Sequence, residues 1–208
     1  MDIGFFSYNS DFGVRPETLA KELEARDFDS LWVGEHTHIP ASRKTPFPGG
    51  IDLPRPYYHF RDPFVSLTMA AAVTKKLKIA TGVCLVVQHD PIVLAKSVAT
   101  LDHLSEGRFQ FGIGGGWNQE EMENHGQQFH RRWKLLRERI EAMKEIWTEE
   151  EASYAGEFVN FEKIISYPKP KQTPHPPVLM GGATEMSLKR VARYCDGWMP
   201  IDALLENP

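Results

Sequence analysis

The chain has 208 residues, two cysteines and a formal net charge of −4. That length suffices for one large domain whose core needs no disulfide staples, and mild acidity with scattered Lys and Arg leaves no electrostatic footprint for nucleic acid. No apolar run approaches the ~20 residues that span a bilayer, and the opening MDIGFFSYNS lacks the plan of a signal peptide. Cys84 and Cys195 stand far apart in apolar contexts, as buried reduced thiols do, so a single-domain cytoplasmic protein is expected.

Ile3–Ser7, short and aromatic, is predicted as the first strand. Pro16 suits the first turn of a helix opening near Arg15, with Leu19, Ala20 and Leu23 on one face. Ser30–Gly34 is a second strand, followed at once by Glu35, His36, Thr37 and His38. Residues 39–61 are rich in Pro, Gly and aromatics and too long for an ordinary connection, which marks a lid or binding loop. Asp62 and Pro63 open a second helix, apolar on more than one face, so a subunit contact is expected there. Lys78–Val83 is a third strand running on into Cys84–Val87. Asp90 and Pro91 then open a helix through Leu104, with Ile92, Ala95, Val98 and Ala99 inward.

Arg108–Ile113 is a fourth strand; Gly114, Gly115, Gly116 and Trp117 lead from it to a short helix capped by Asn118, with Glu121 as its capping-box partner. Arg131–Thr148 carries the clearest helical period, through Trp133, Leu136, Ile140, Met143 and Trp147, and its charges, including Arg139 and Glu141, read as a solvated face. A hairpin is expected near 152–166 with its turn at Tyr154–Glu157, then an extended proline-rich stretch over 166–177. Val178–Gly181 is a fifth strand, followed by a helix through Tyr194, and Gly197–Ile201 is a sixth strand. Strands alternating with helices argue for an α/β fold with a parallel sheet. The unusual residues collect at four separate strand ends, which favours a (β/α)8 TIM-barrel type over an open sheet with one switch point. Five strand–helix units and a sixth strand are visible, so the expectation is either a C-terminally shortened barrel or a fragment of a full one.

The run Gly112–Trp117 approaches a dinucleotide fingerprint, but Trp117 replaces the third glycine, and Glu120, Glu121 and Glu123 would repel a pyrophosphate. Gly181, Gly182, Ala183 and Thr184 form the better anion site, where free amides, a hydroxyl and a helix N-terminus converge; the alternative is an ordinary capped helix. His36 is the leading acid/base candidate, with neighbouring Glu35 expected to orient it or raise its pKa. A lone histidine there is more often structural, and His38 and His89 are weaker candidates. Glu35, His36 and His38 make a poor metal cage, so no metal is expected, and no Ser or Cys stands in a nucleophile context.

The stretches SLWVGEHTHIP, KIATGV, ATLDHLSEGRFQFGIGGGWNQEE and PPVLMGGATEMSLKRVARYCDGW resemble the luciferase-like monooxygenase superfamily, and within it oxidoreductases that use the deazaflavin coenzyme F-420. The resemblance implies a (β/α)8 barrel, a homodimer, and a tricyclic ring held at the strand C-termini. It also implies a non-proline cis peptide at Gly82–Val83 behind the ring, His36 near it, Gly115 and Gly116 lining it, and Gly181–Ala183 on the phosphate. The expected reaction is hydride transfer between F-420 and a small organic substrate. An FMN-dependent monooxygenase is the alternative, and a non-catalytic flavin-binding remnant the second. Related sugar-phosphate dehydrogenases carry a glutamate where Gly115 stands, so that substrate is not expected. The last two strand–helix units of a full barrel do not appear after Ile201.

Overall fold

Strands β1 (Gly4–Ser7), β2 (Ser30–Val33), β3 (Lys78–Thr81), β4 (Phe109–Ile113), β7 (Val178–Gly181) and β8 (Gly197–Met199) pair side by side, all parallel. A separate antiparallel hairpin, β5 (Ala152–Ala155) and β6 (Asn160–Ile164), interrupts the series. This is the arrangement in a computed structural model of the chain that describes residues 1–48, 50 and 52–200. Spatial order follows chain order without reversal. A doubly wound sheet reverses at a switch point; a barrel wall does not, so the sheet is of the (β/α)8 type.

The central strands are buried on both faces, and their sequences show it: Ile79, Ala80, Phe109, Phe111 and Ile113 are wholly inaccessible. The covering helices are α1 (Pro16–Glu24), α2 (Pro63–Ala72), α3 (Pro91–Leu104), the short α4 (Gln119–Asn124), α5 (Arg132–Thr148) and α6 (Glu185–Tyr194). Their starts are dictated locally. Proline occupies the first turn of α1, α2 and α3, while Asp62, Asp90 and Thr184 accept hydrogen bonds from the free amides at the heads of α2, α3 and α6. Such a cap is worth about 1 kcal/mol. Leu136, Ile140, Met143 and Trp147 of α5 are buried as their period predicts, and the Trp147 indole donates to the Ala95 carbonyl of α3 at 3.0 Å.

The face at the strand N-termini is held by two polar hubs. The Arg108 guanidinium donates to the carbonyls of Ala71, Thr74, Leu77 and Ser105 and to the Thr74 hydroxyl. Buried Asp102 accepts from the Lys171 and Gln172 amides and from the Gln172 side chain, anchoring the proline-rich stretch to α3.

Several expectations need correction. β3 stops at Thr81 rather than running through Val87; Cys84 keeps one parallel bridge to Ile113, while the Leu85 amide leaves the ladder to donate to Glu35. Ile92 lies in the first turn of α3, off the packed stripe of Leu94, Ala95, Val98 and Ala99, and is 37 % exposed. Arg139 is not solvated: α5 lies along the 3-10 turn Val86–Gln88, and the buried guanidinium donates to the Val86 carbonyl at 2.9 Å. The hairpin turn falls at 156–159, two residues late, because buried Glu138 accepts from the Phe158 and Val159 amides. Of the sixth strand, Gly197–Met199 is formed, and Ile201 lies outside the described residues.

Candidate active site

Parallel pairing puts the C-terminal ends of β2, β3, β4 and β7 on one face, so His36, the Gly82–Val83 bond, Gly114–Trp117 and Gly181–Thr184 all emerge together. The Gly82–Val83 peptide is cis.

Two neighbouring residues leave β2 in opposite directions, as successive side chains on an extended segment do. Glu35 turns toward the β3 exit: one oxygen accepts from the Leu85 amide at 2.6 Å, the other pairs with His89 Nε2 at 2.8 Å, and its side chain is 2 % exposed. Burial opposes ionisation of Glu35, yet His89 and the Leu85 amide hold its pKa below the usual carboxylate range. Burial likewise opposes charge on His89, and the Glu35 carboxylate overrides it, raising the imidazole pKa.

His36 turns instead toward α4. Its Nδ1 lies 2.7 Å from Glu121 Oε2, with the side chains 6 % and 1 % exposed, and Glu121 Oε1 accepts from the Thr37 amide at 3.2 Å. The partner of His36 is therefore Glu121, not Glu35. Asn118 does cap α4 through the Glu121 amide, but the Glu121 carboxylate is spent on His36 and does not complete a capping box. An ionised carboxylate only accepts, so Nδ1 carries the proton and Nε2 is the nitrogen free to exchange one. Rings from the 39–61 segment and from the β4 tip cover the imidazole: Tyr57, Phe60 and Trp117 have centroids 5.5, 5.8 and 5.7 Å away.

The glycines make room chiefly for protein. A Cβ on Gly114 would lie 2.6 Å from one methyl of Val83, and a Cβ on Gly181 2.7 Å from the other, so Val83 is socketed between the β4 and β7 tips. Gly115 lies under the Trp133 indole, which a Cβ would approach to 2.7 Å. Gly116, at φ +71°, and Gly182, at φ +135°, hold backbone conformations that favour glycine.

At the β7 tip, Thr184 accepts from the Ser187 amide, and the Gly182 carbonyl accepts from the Trp198 indole at 2.7 Å. Trp133 brings two cations to this side: the guanidinium of Arg190 lies 3.7 Å and that of Arg132 5.1 Å from its ring. Neither has a carboxylate partner among the described residues, and Arg132 Nε is buried without an acceptor. Burial, and then repulsion from Arg190, lowers the Arg132 pKa. Such a pair suits an anion. Sequence reasoning missed it, because Arg132 and Arg190 are ordinary helix residues until Trp133 is seen to join them.

Donor atoms of Glu35, Cys84 and His89 lie within 4.8 Å of one another. Burial, then the Glu35 charge, pushes the Cys84 thiol far above its ordinary pKa, and both Glu35 oxygens are already engaged. The cluster behaves as a hydrogen-bonded wall. His38 and His125 share the Thr37 hydroxyl at 2.9 and 2.8 Å on the outer side of α4.

The luciferase-like monooxygenase family profile matches residues 15–206. The chain is 48 % identical over 214 aligned residues to the uncharacterized protein Rv0953c of Mycobacterium tuberculosis, covering all of this chain and 76 % of that one. It is 32 % identical over 128 residues to an FMNH(2)-dependent dimethylsulfone monooxygenase of Pseudomonas putida, covering 60 % of this chain and 35 % of that one. Among solved structures, it shares its fold with an F-420-dependent secondary alcohol dehydrogenase in complex with an F-420–acetone adduct. That match has a TM-score of 0.74 and 24 % identity, over 96 % of this chain and 57 % of that chain. The chain thus spans little more than half the length of the solved structure it matches. The matched profile covers most of the chain and the parallel strand order accords with it: the chain belongs to the luciferase-like monooxygenase family.

Proposed function

We propose that the protein is an oxidoreductase of flavin type, using coenzyme F-420 to move a hydride to or from a small organic substrate. The observation that carries this reading is His36: buried, held at Nδ1 by Glu121, and left with Nε2 to exchange a proton. The deazaflavin, when bound, would give or accept the hydride; the chain supplies placement and proton management. Gly82, Val83 and Gly116 at the strand tips would hold the ring, and Gly115, whose open side is filled by the Trp133 indole, would contribute its backbone. The anionic tail is taken by the amides of Gly181, Gly182 and Ala183, the Thr184 hydroxyl and the Arg132–Arg190 pair. Two guanidinium groups without carboxylate partners among the described residues and an orphaned buried N–H fit an anionic group there. His36 Nε2 gives or takes the proton at the substrate heteroatom, and the aromatic cover excludes water.

A second reading, an FMN-dependent monooxygenase, is favoured by the likeness to the dimethylsulfone enzyme. Titration of the purified chain with F-420 and with FMN, followed by fluorescence, separates the two. Saturable binding of F-420 alone supports the first; binding of FMN alone, with oxygen uptake when FMNH2 is supplied, replaces it by the second. With an established substrate, His36→Ala lowers turnover by about 10²- to 10⁴-fold while cofactor affinity holds. Turnover unchanged in that variant removes His36 from the chemistry.

A homodimer is part of the proposal. The outward side of α2 and the first turn of α3 carry Val65 and Val93, each 64 % exposed. A cytoplasmic location is proposed with it; no described helix is long and apolar enough to cross a membrane.

A further inference from the structure

The described residues of the 39–61 segment, which cover His36, are tied down near its two ends by different means. Near its C-terminal end the ties are backbone to backbone: the Asp11 amide donates to the His59 carbonyl and the Arg61 amide to the Asn9 carbonyl, each at 3.0 Å. Ser10 and Phe60 add an antiparallel bridge, and the Asn9 side chain reaches the Arg61 carbonyl. Near its N-terminal end the ties run chiefly to one carboxylate, with the Gln119 amide adding a long hydrogen bond to the Thr45 hydroxyl at 3.4 Å. Glu120, in the first turn of α4, accepts from the Lys44 amide at 2.8 Å, the Thr45 amide at 3.1 Å and the Thr45 hydroxyl at 2.6 Å. Arg43 lies over the Trp117 ring at 5.6 Å and also donates to the Thr45 carbonyl.

Between these ties Phe47 packs on both Tyr57 and Trp117, with centroids 5.2 and 5.6 Å away, and Tyr57 and Trp117 in turn pack on His36. The cover is self-supporting and sits on the imidazole itself. A group that exchanges a proton with substrate has to be uncovered for substrate to arrive. The end held through several backbone pairs is suited to stay put, and the end held mainly through one carboxylate is suited to let go.

We propose that Glu120 is a positioning residue whose carboxylate holds the 43–47 part of the cover shut over His36, and that release of this grip admits the substrate. The inference rests on the reading of His36 as the proton-exchanging group. It assigns separate duties to adjacent residues of one helical turn: Glu121 orients the imidazole, and Glu120 controls access to it. Hydrogen bonds from Thr45 and the Lys44 amide, outweighing partial burial, pull the Glu120 pKa down to about 2, so the grip holds throughout the neutral range.

Carbethoxylation of His36 by diethylpyrocarbonate, followed by peptide mass spectrometry on the full chain without added cofactor, tests the assignment. In the parent protein His36 reacts slowly beside exposed His103 and His130. In Glu120→Ala its rate rises about tenfold, the factor given by loss of one charge-assisted network worth ~1.4 kcal/mol, while His103 and His130 keep theirs. Glu120→Gln, which retains an acceptor without the charge, falls between. Thr45→Val leaves the Glu120 carboxylate in place, removes the hydroxyl that donates to it and accepts weakly from the Gln119 amide, and gives a smaller rise. If Glu120→Ala fails to fold, Thr45→Val decides alone. An unchanged His36 rate in a folded variant overturns the proposal. Failure to bind either F-420 or FMN would instead defeat the proposed function and leave the accessibility result standing.

Discussion

The β2 tip starts two imidazole–carboxylate pairs, Glu35 with His89 and His36 with Glu121, at 2.8 and 2.7 Å. In each, the second carboxylate oxygen takes a backbone amide, and those amides separate the pairs. Glu35 takes the Leu85 amide, just beyond the Gly82–Val83 bond, and so ties the exit of β3 to the tip of β2. Glu121 takes the Thr37 amide, next to His36, and so fixes the histidine's own backbone. The first pair builds a wall and the second aims a side chain. The same chemistry serves stability in one case and, in the role proposed for His36, reactivity in the other, and the choice is made by which amide the carboxylate reaches.

The comparison is broken most strongly at Glu35. Glu35→Ala leaves the Leu85 amide and His89 without their buried acceptor, and it lowers the unfolding free energy by about 3 kcal/mol in a urea titration. A loss under about 1 kcal/mol would mean the wall is held by other contacts. Glu121→Gln keeps the shape and an acceptor but not the charge that orients the imidazole. Turnover falls about 10- to 100-fold while the urea midpoint moves little, and equal losses in stability and turnover would erase the distinction between the pairs.

The smallest effect concerns pH. The folded His89 pKa is raised, so its contribution is full below the unfolded value near 6.5 and is lost as pH rises through the folded value. The folded Glu35 pKa is lowered, so its contribution is present above the unfolded value near 4.5 and is lost as pH falls through the folded value. Stability therefore peaks between the two, and unfolding midpoints decline on the alkaline side in the parent. His89→Gln removes that alkaline decline; a decline that persists would locate its cause elsewhere.

Much of the frame was readable because local signals agreed. α3 runs from Pro91 to Leu104 as expected, since Asp90 and Pro91 can open a helix and Ser105–Gly107 can end one. Val178–Gly181 was likewise bounded by proline before and glycine after. The site was readable as a place and not as a set of contacts. His36 stood out at a strand end, but Glu121 lies 85 residues away, and no local pattern names a partner at that distance. Helical period reports which side of α5 faces inward, yet the long Arg139 side chain reaches a buried carbonyl from a position that read as solvated. Glycines announce that a side chain is missing without saying what fills the space. At Gly114 and Gly181 the occupant is Val83, and at Gly115 it is Trp133.

That socket has a consequence for redesign. The methyls of Val83 fill the volume that a Cβ at 114 or 181 would need, so the three positions behave as one unit. Enlarging either glycine alone forces a collision, and trimming the valine alone opens a void. A library that varies them singly would return mostly the parent; Val83→Ala with Gly181→Ala trades two methyls for one and leaves the new Cβ 3.2 Å from the Ile113 carbonyl, so remodelling this rim takes coordinated changes at all three positions.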